Sequence, residues 1–241
     1  MQKIIGFLVC LFSWNSAYCD DFIEWHSENI QLLRGFNYEL GSPKKTIVTL
    51  EHANRWKYGD FFVFADFQWP DDGDFTFYTE LTPRFSLSKI SGKSFAFGPI
   101  KDVFIAGNLE IPKSGTARFL YGPSVDWAVP GFIFFKTFFF VRDNPDIPGS
   151  THQVTVAWKR SIRLGNTSLL LEGFLDMAGN EGTRYAANEL FVPRVLFDVS
   201  GLFGAKPSRF FAGVEYTRWR NKFGVRGVTE SAAQLQLKWV F

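Results

Sequence analysis

The sequence predicts an all-β protein, a transmembrane antiparallel β-barrel of about twelve strands. Three observations predict it. Segments alternating apolar and polar residues recur along the chain, bounded by Gly, Pro, Asn and Asp clusters. Phe makes up 29 of 241 residues, yet mean hydropathy is near zero, so apolar residues are interleaved with polar ones. The chain also stops on such a segment, Q-L-Q-L-K-W-V-F from Gln234 to Phe241.

In that last segment Leu235, Leu237, Trp239 and Phe241 share one parity and Gln234, Gln236 and Lys238 the other, with Val240 the exception. A period of two gives a strand with one apolar and one polar face. A soluble sandwich would turn the apolar face inward; a membrane barrel turns it to lipid and keeps polar groups in the lumen. As a free edge the strand would invite aggregation, whereas closure pairs it on both sides. A terminal Phe behind alternating hydrophobics also resembles the signal read by the bacterial barrel-assembly machinery.

At the other end, Met1 to Cys19 reads as a secretory signal. Lys3 precedes a short apolar core, Ile4 to Phe12, and Ala17 and Cys19 stand at the small-residue cleavage positions. A lipid anchor on Cys19 is the rival reading, opposed by bulky Tyr18. Residues 20–241 then form one domain without cysteine, so no disulfide staples it. Past the signal no segment approaches the ~18–20 apolar residues of a spanning helix. The formal charge of +2 supplies no basic field, which excludes nucleic acid as a partner.

In order, the strand-like segments are 27–38, 46–54, 59–69, 75–88, 102–111, 117–128, 131–142, 152–164, 168–177, 188–200, 208–219 and 233–241. The cleanest is Phe75 to Ser88, where Phe75, Phe77, Leu81, Phe85 and Leu87 oppose Tyr78, Glu80, Arg84 and Ser86. Its length suits a tilted spanning strand, and Pro83 within it predicts a bulge or a broken ladder. Trp56, Tyr58, Trp69, Tyr121, Trp127, Trp158, Tyr216 and Trp239 fall mostly near strand ends, where interfacial girdles sit. Strand length, signal, missing cysteines and aromatic load together favour the barrel over the sandwich. An even strand count puts both termini on the periplasmic side. Residues 89–101 are then an unusually long periplasmic excursion.

Several stretches are similar to the Tsx family of nucleoside-specific outer-membrane channels. They are Glu24-Trp25-His26, T-L-E-H-A-N-R-W-K-Y-G-D-F-F-V-F-A-D from Thr49, P-R-F-S-L-S-K-I-S-G-K-S-F-A-F-G-P-I-K-D from Pro83, V-P-G-F-I-F-F from Val129 with Val141-Arg142-Asp143 behind it, and W-R-N-K-F-G-V from Trp219. The resemblance spans nearly all of the mature chain. It implies a monomeric twelve-stranded barrel in the outer membrane of a Gram-negative bacterium, with a narrow lumen lined by aromatic and ionisable residues. Members of the family often carry a polar residue where this chain has Phe138, which bears on substrate preference.

Parity places candidates for such a lining. A nucleoside needs an aromatic face for its base and polar groups for its hydroxyls and base edges. Asp66 lies beside Phe62 and Phe64, Glu80 beside Tyr78 and Arg84, and Glu110 beside Asn108. Lys136 stands between Phe134 and Phe138, Glu172 beside Phe174, and Glu215 near Phe211. The competing reading makes these charges salt bridges that only fill the lumen. Lys159 and Arg160 are expected in interface water. No cofactor is expected. Nucleosides, outer-membrane lipid and the assembly machinery are the expected partners, and the surface loops could serve a phage or bacteriocin as receptor. Two alternatives stay open: a barrel with a closed lumen serving structure or adhesion, and a lipid-modifying enzyme. The latter needs a nucleophile beside a base, and none of His26, His52 or His152 has a sequence context marking one.

Overall fold

The computed structural model describes residues 22–241, so the signal segment lies outside the described residues. Twelve strands close into one antiparallel barrel. They are β1 (Ile23–Phe36), β2 (Lys44–Trp56), β3 (Gly59–Pro70), β4 (Thr76–Ser86), β5 (Ile100–Pro112), β6 (Arg118–Trp127), β7 (Phe134–Asp143), β8 (Ser150–Leu164), β9 (Thr167–Ala178), β10 (Asn188–Asp198), β11 (Phe210–Arg220) and β12 (Thr229–Val240). Each pairs with its sequence neighbours. The last strand closes on the first, with Gln31 opposite Lys238 and Leu33 opposite Gln236. Closure satisfies both edges, the condition for exposing strands to lipid.

The terminal strand is ordered as its parity dictates. Leu235, Leu237 and Trp239 face outward and are exposed, while Gln234, Gln236 and Lys238 are buried inside. Three strand starts differ from the sequence reading by three residues or more, and the other ends by at most two. β12 starts earlier, at Thr229, because Ala232 and Ala233 carry little apolar signal. β1 starts at Ile23, where Glu24 and His26 break the alternation. β7 starts later because Gly131 takes a left-handed φ of 82° in the preceding turn.

Prolines interrupt the ladder without shifting it. Pro83 opposes Phe61 on β3, but the β4–β5 pairing skips from Leu81–Leu109 to Arg84–Ala106 in unchanged register. It is a broken ladder, not a bulge, because Pro lacks only the N–H. Pro123 does the same between β6 and β7, and Pro193 between β10 and β11.

Both described termini lie at one end of the barrel, here the terminal end. The connections there are short except 87–99 and 199–209. The first contains a one-turn helix, α1 (Leu87–Ser91), capped by the Ser86 hydroxyl, which accepts from Lys89 N at 3.0 Å. Lys89 also reaches Glu24 at 2.7 Å, tying this connection to the start of β1. Tyr58, Trp69 and Trp239 are exposed near strand ends as girdle residues are, but Tyr121 and Tyr216 face lipid from within their strands.

Candidate functional site

The register turns all thirteen candidate residues toward the lumen: Phe62, Phe64, Asp66, Tyr78, Glu80, Arg84, Glu110, Phe134, Lys136, Phe138, Glu172, Phe174 and Glu215. They do not form one cluster. Two cationic hubs gather most of the charges, and a third group stands apart.

The first hub is Arg194 on β10. Its Nε donates to Glu215 at 2.5 Å and its Nη1 to Glu51 of β2 at 3.1 Å, a span that crosses three intervening strands. Lys238 sits beside it, 2.6 Å from Glu172 and 3.6 Å from Glu51. Lys159 adds a 3.2 Å pair to Glu172, so it faces the lumen rather than interface water. The reason is parity, since Lys159 pairs across from Glu172 while Arg160 points out over the Phe132 ring. A chain of amides approaches the same carboxylates. Gln236 donates to Gln31, Gln31 to Asn29 at 2.8 Å, and Asn29 to Glu51 at 2.9 Å.

The second hub is Arg84 on β4, only 1% exposed. It grips Asp60 through Nε at 2.8 Å and Nη2 at 2.5 Å, and Asp126 through Nη1 at 2.7 Å. Its guanidinium lies 4.0 Å above the Phe104 ring and 5.4 Å from Phe138, which itself stacks on Phe140 at 5.4 Å. Lys136 reaches across from β7 to Asp60 at 3.5 Å, and its ammonium stands 5.2 Å from the Phe134 ring. Forked arginine–carboxylate bonding of this kind fixes geometry as well as charge.

Toward the far end, Arg142 holds Glu110 through two bonds of 2.6 and 2.8 Å, and Glu181 of the β9–β10 loop at 2.7 Å. Tyr38 of the β1–β2 loop folds into the barrel and donates to Gln234 at 2.5 Å, with Lys45 4.0 Å from its ring. A buried pair, Lys222 with Glu230, clamps the same loop through Glu39.

Asp66, Glu80 and Asp176 differ from the other lumen acids. Asp66 accepts from Thr49 at 2.6 Å; Glu80 accepts from the Tyr78 hydroxyl at 2.7 Å and Asn108 at 2.9 Å; Asp176 accepts from Thr155 at 2.5 Å. None of the three has an ion-pair partner among the described residues. Beside the first two runs an aromatic ladder: Phe62 to Phe64 at 6.1 Å and Phe64 to Tyr78 at 6.0 Å. Phe62 is 37% exposed, so its ring is open to the lumen, whereas Phe138 is covered by Phe140 and Arg84. The competing salt-bridge reading thus describes Glu110, Glu172, Glu215, Arg84 and Lys136.

Sequence reasoning missed Arg194, Glu51, Asp60, Asp126 and Tyr38 as lumen residues. Asp60 and Asp126 share the parity of Asp66 and Ser124 and were within reach of the pattern. Arg194 was not, because β10 is apolar on both parities, with Leu190, Val192 and Leu196 also facing in. Of the histidines, His52 lies against Glu28 at 2.8 Å and Asn54 at 3.0 Å on the outer face of β1 and β2.

No curated protein sequence matches the chain. Among solved structures, the KdgM porin in complex with disordered oligogalacturonate matches with a TM-score of 0.52 at 9% identity, over 88% of this chain and 99% of that one. The NanC porin matches with a TM-score of 0.54 at 10% identity, over 87% and 98%. At such identities the likeness shows a shared barrel fold. The sequence itself matches a family model across residues 22–228. With a closed barrel presenting an apolar wall outward and a charged lumen inward, this outer-membrane protein belongs to the family of nucleoside-specific channel-forming proteins, Tsx.

Proposed function

We propose that the barrel passes nucleosides passively through its lumen, with the Phe62–Phe64–Tyr78 ladder and the Asp66 and Glu80 carboxylates as the selective contacts. The observation that carries this reading is the pairing of open aromatic faces with acids that have only neutral donors. A base stacking on Phe62 gains ~1–3 kcal/mol. Ribose hydroxyls donate to Asp66 and Glu80 without first breaking an ion pair. Phe174, Phe134, Phe138 and Lys136 line the remaining wall, while the Arg194 and Arg84 hubs hold its shape. Such contacts are weak enough to release the solute, as conduction requires.

The test is single-channel conductance in planar bilayers titrated with nucleosides. Phe62→Ala should raise the half-blocking concentration by about tenfold, the equivalent of ~1.4 kcal/mol. Asp66→Asn should weaken block by the nucleoside more than block by the free base. Phe139→Leu, on the lipid face, should change neither. Equal effects of Phe62→Ala and Phe139→Leu would refute the assignment. A lumen sealed by its side chains is the second reading, favoured by the full burial of Gln31 and Ser124. It forecasts no open-channel current at all.

A further inference from the structure

Charge is divided between the two ends of the barrel. At the terminal end no connection contains an acid, yet these segments carry Lys57, Lys89, Lys93, Lys206 and Arg209. The far-end connections hold Glu39, Asp71, Asp72, Asp74, Asp146 and Glu181 against Lys113, Arg184, Lys222 and Arg226, a small acidic excess. The lumen chemistry does not use this division, because the basic residues lie beyond the strands.

One corner of the basic end also forms a cleft. Arg209, Phe210, Trp239, Val240 and Phe241 line a shallow opening of about 280 Å³ where β11 meets the terminal strand. Phe210 stacks on Trp239 at 6.0 Å, and Trp239 meets Phe241 at 5.2 Å. The neighbouring turn presents Leu202, 82% exposed, and Phe203, 68% exposed. Phe203 lies 5.2 Å from Phe210, so the turn leans on the outer wall rather than over the lumen. Its shape is fixed: the Ser200 hydroxyl accepts from Arg209 N at 3.0 Å and Phe210 N at 2.9 Å. Asp198, the acid of this corner, accepts from Ser200 N at 3.0 Å and Ser208 N at 2.7 Å. Arg209 Nη1 donates to Val240 O at 3.2 Å and is otherwise exposed.

We propose that this corner is a seat for an anionic phospholipid, its headgroup phosphate on Arg209 and Lys206 and its acyl chains along Leu202, Phe203, Phe210 and Trp239. Aromatic residues at this height mark the level of lipid headgroups. Exposed apolar side chains on a turn are costly in water and favourable in the interface. The connections at this end carry an excess of cations, with Asp198 held by backbone N–H groups and Glu24 paired, among the described residues, to Lys89 alone; that excess attracts an anionic leaflet, and the attraction is screened by salt. A guanidinium presents a planar fork that matches a phosphate. The inference concerns the outer rim and does not depend on what the lumen carries.

The test uses the mature full chain in phosphatidylcholine vesicles with trace spin-labelled phosphatidylglycerol or phosphatidylcholine. The motionally restricted fraction gives the relative association of each lipid. Phosphatidylglycerol should associate about three- to fivefold more strongly, and 1 M salt should abolish the preference. Lys206→Gln with Arg209→Gln should remove most of it, while Lys113→Gln with Arg226→Gln at the far end should leave it intact. Mobility on gels before and after boiling checks that each variant is folded. Equal association of the two lipids would overturn the proposal, as would a preference unmoved by the Lys206/Arg209 pair. Binding of a soluble acidic peptide at Arg209 without any lipid preference would assign the corner to a protein partner and overturn the lipid seat.

Discussion

Gly35 and Tyr38 occupy the same space at the far mouth: a Cβ added to Gly35 would stand 2.0 Å from the Tyr38 hydroxyl. Glycine at 35 is therefore what lets Tyr38 turn into the barrel, reach Gln234 and narrow the opening. Gly35→Ala should displace the ring, cost ~1–3 kcal/mol as an overpacking change, and raise single-channel current. Tyr38→Ala should raise the current without the strain. If neither variant changes conductance, Tyr38 does not limit the mouth.

Arg194 neutralises three carboxylates on three other strands. Arg194→Met should leave Glu51, Glu172 and Glu215 short of a cation and destabilise the barrel by ~3–5 kcal/mol, the usual cost of breaking a buried pair. Urea unfolding in lipid vesicles measures it. Adding Glu215→Gln should recover part of the loss, and strictly additive effects would show that the two residues act independently. The single variant should also shift the reversal potential in a KCl gradient toward cation selectivity.

Phe138 lies between the Arg84 guanidinium and the Phe140 ring, so its truncation removes packing before it removes a binding face. Phe138→Ala should increase small-ion current and weaken nucleoside block less than Phe62→Ala does. A larger loss of block at Phe138 would move the stacking position to β7.

The terminal strand supplies the last test. Phe241 N donates to Glu28 O at 3.2 Å and its ring meets Trp239. Deleting Phe241 should lower the amount of heat-modifiable barrel in membranes far more than deleting a loop-tip residue such as Gly115. Leu237→Arg, on the lipid face just inside the Trp239 girdle, should destabilise the barrel by less than the ~2–4 kcal/mol of a midplane arginine. Unchanged membrane levels after the Phe241 deletion would remove the terminal strand from the assembly step.

The strand count rested on the alternation together with the family resemblance, and the facing of β4, β9 and β12 was legible because their two parities differ in polarity. Phe75 to Ser88 and Gln234 to Phe241 needed no further information. The wiring of the lumen was not legible. Whether Glu172 binds solute or Lys238 depends on which strands face each other across a closed, tilted cylinder, and no local pattern encodes that. Arg194 was hidden because V-P-R-V-L-F is apolar on both parities. Asp66 and Glu172 look alike in sequence, each an acid beside Phe on an alternating strand; only the absence or presence of a cation opposite distinguishes them. Tyr38 was concealed for another reason. A loop residue carries no facing signal until the loop folds inward.

The proline gaps at Pro83, Pro123 and Pro193 have a mechanical consequence. Each replaces a cross-strand hydrogen bond with a plain contact while the register on either side is kept. Hoop stiffness around a barrel comes from those bonds, so the wall is more compliant along β4–β5, β6–β7 and β10–β11 than along the uninterrupted β2–β3 and β8–β9 seams. Under an outward push from a wide solute the cross-section ovalises at the soft seams, and the Arg84 and Arg194 hubs, each on a strand bordering one of them, bear the load first.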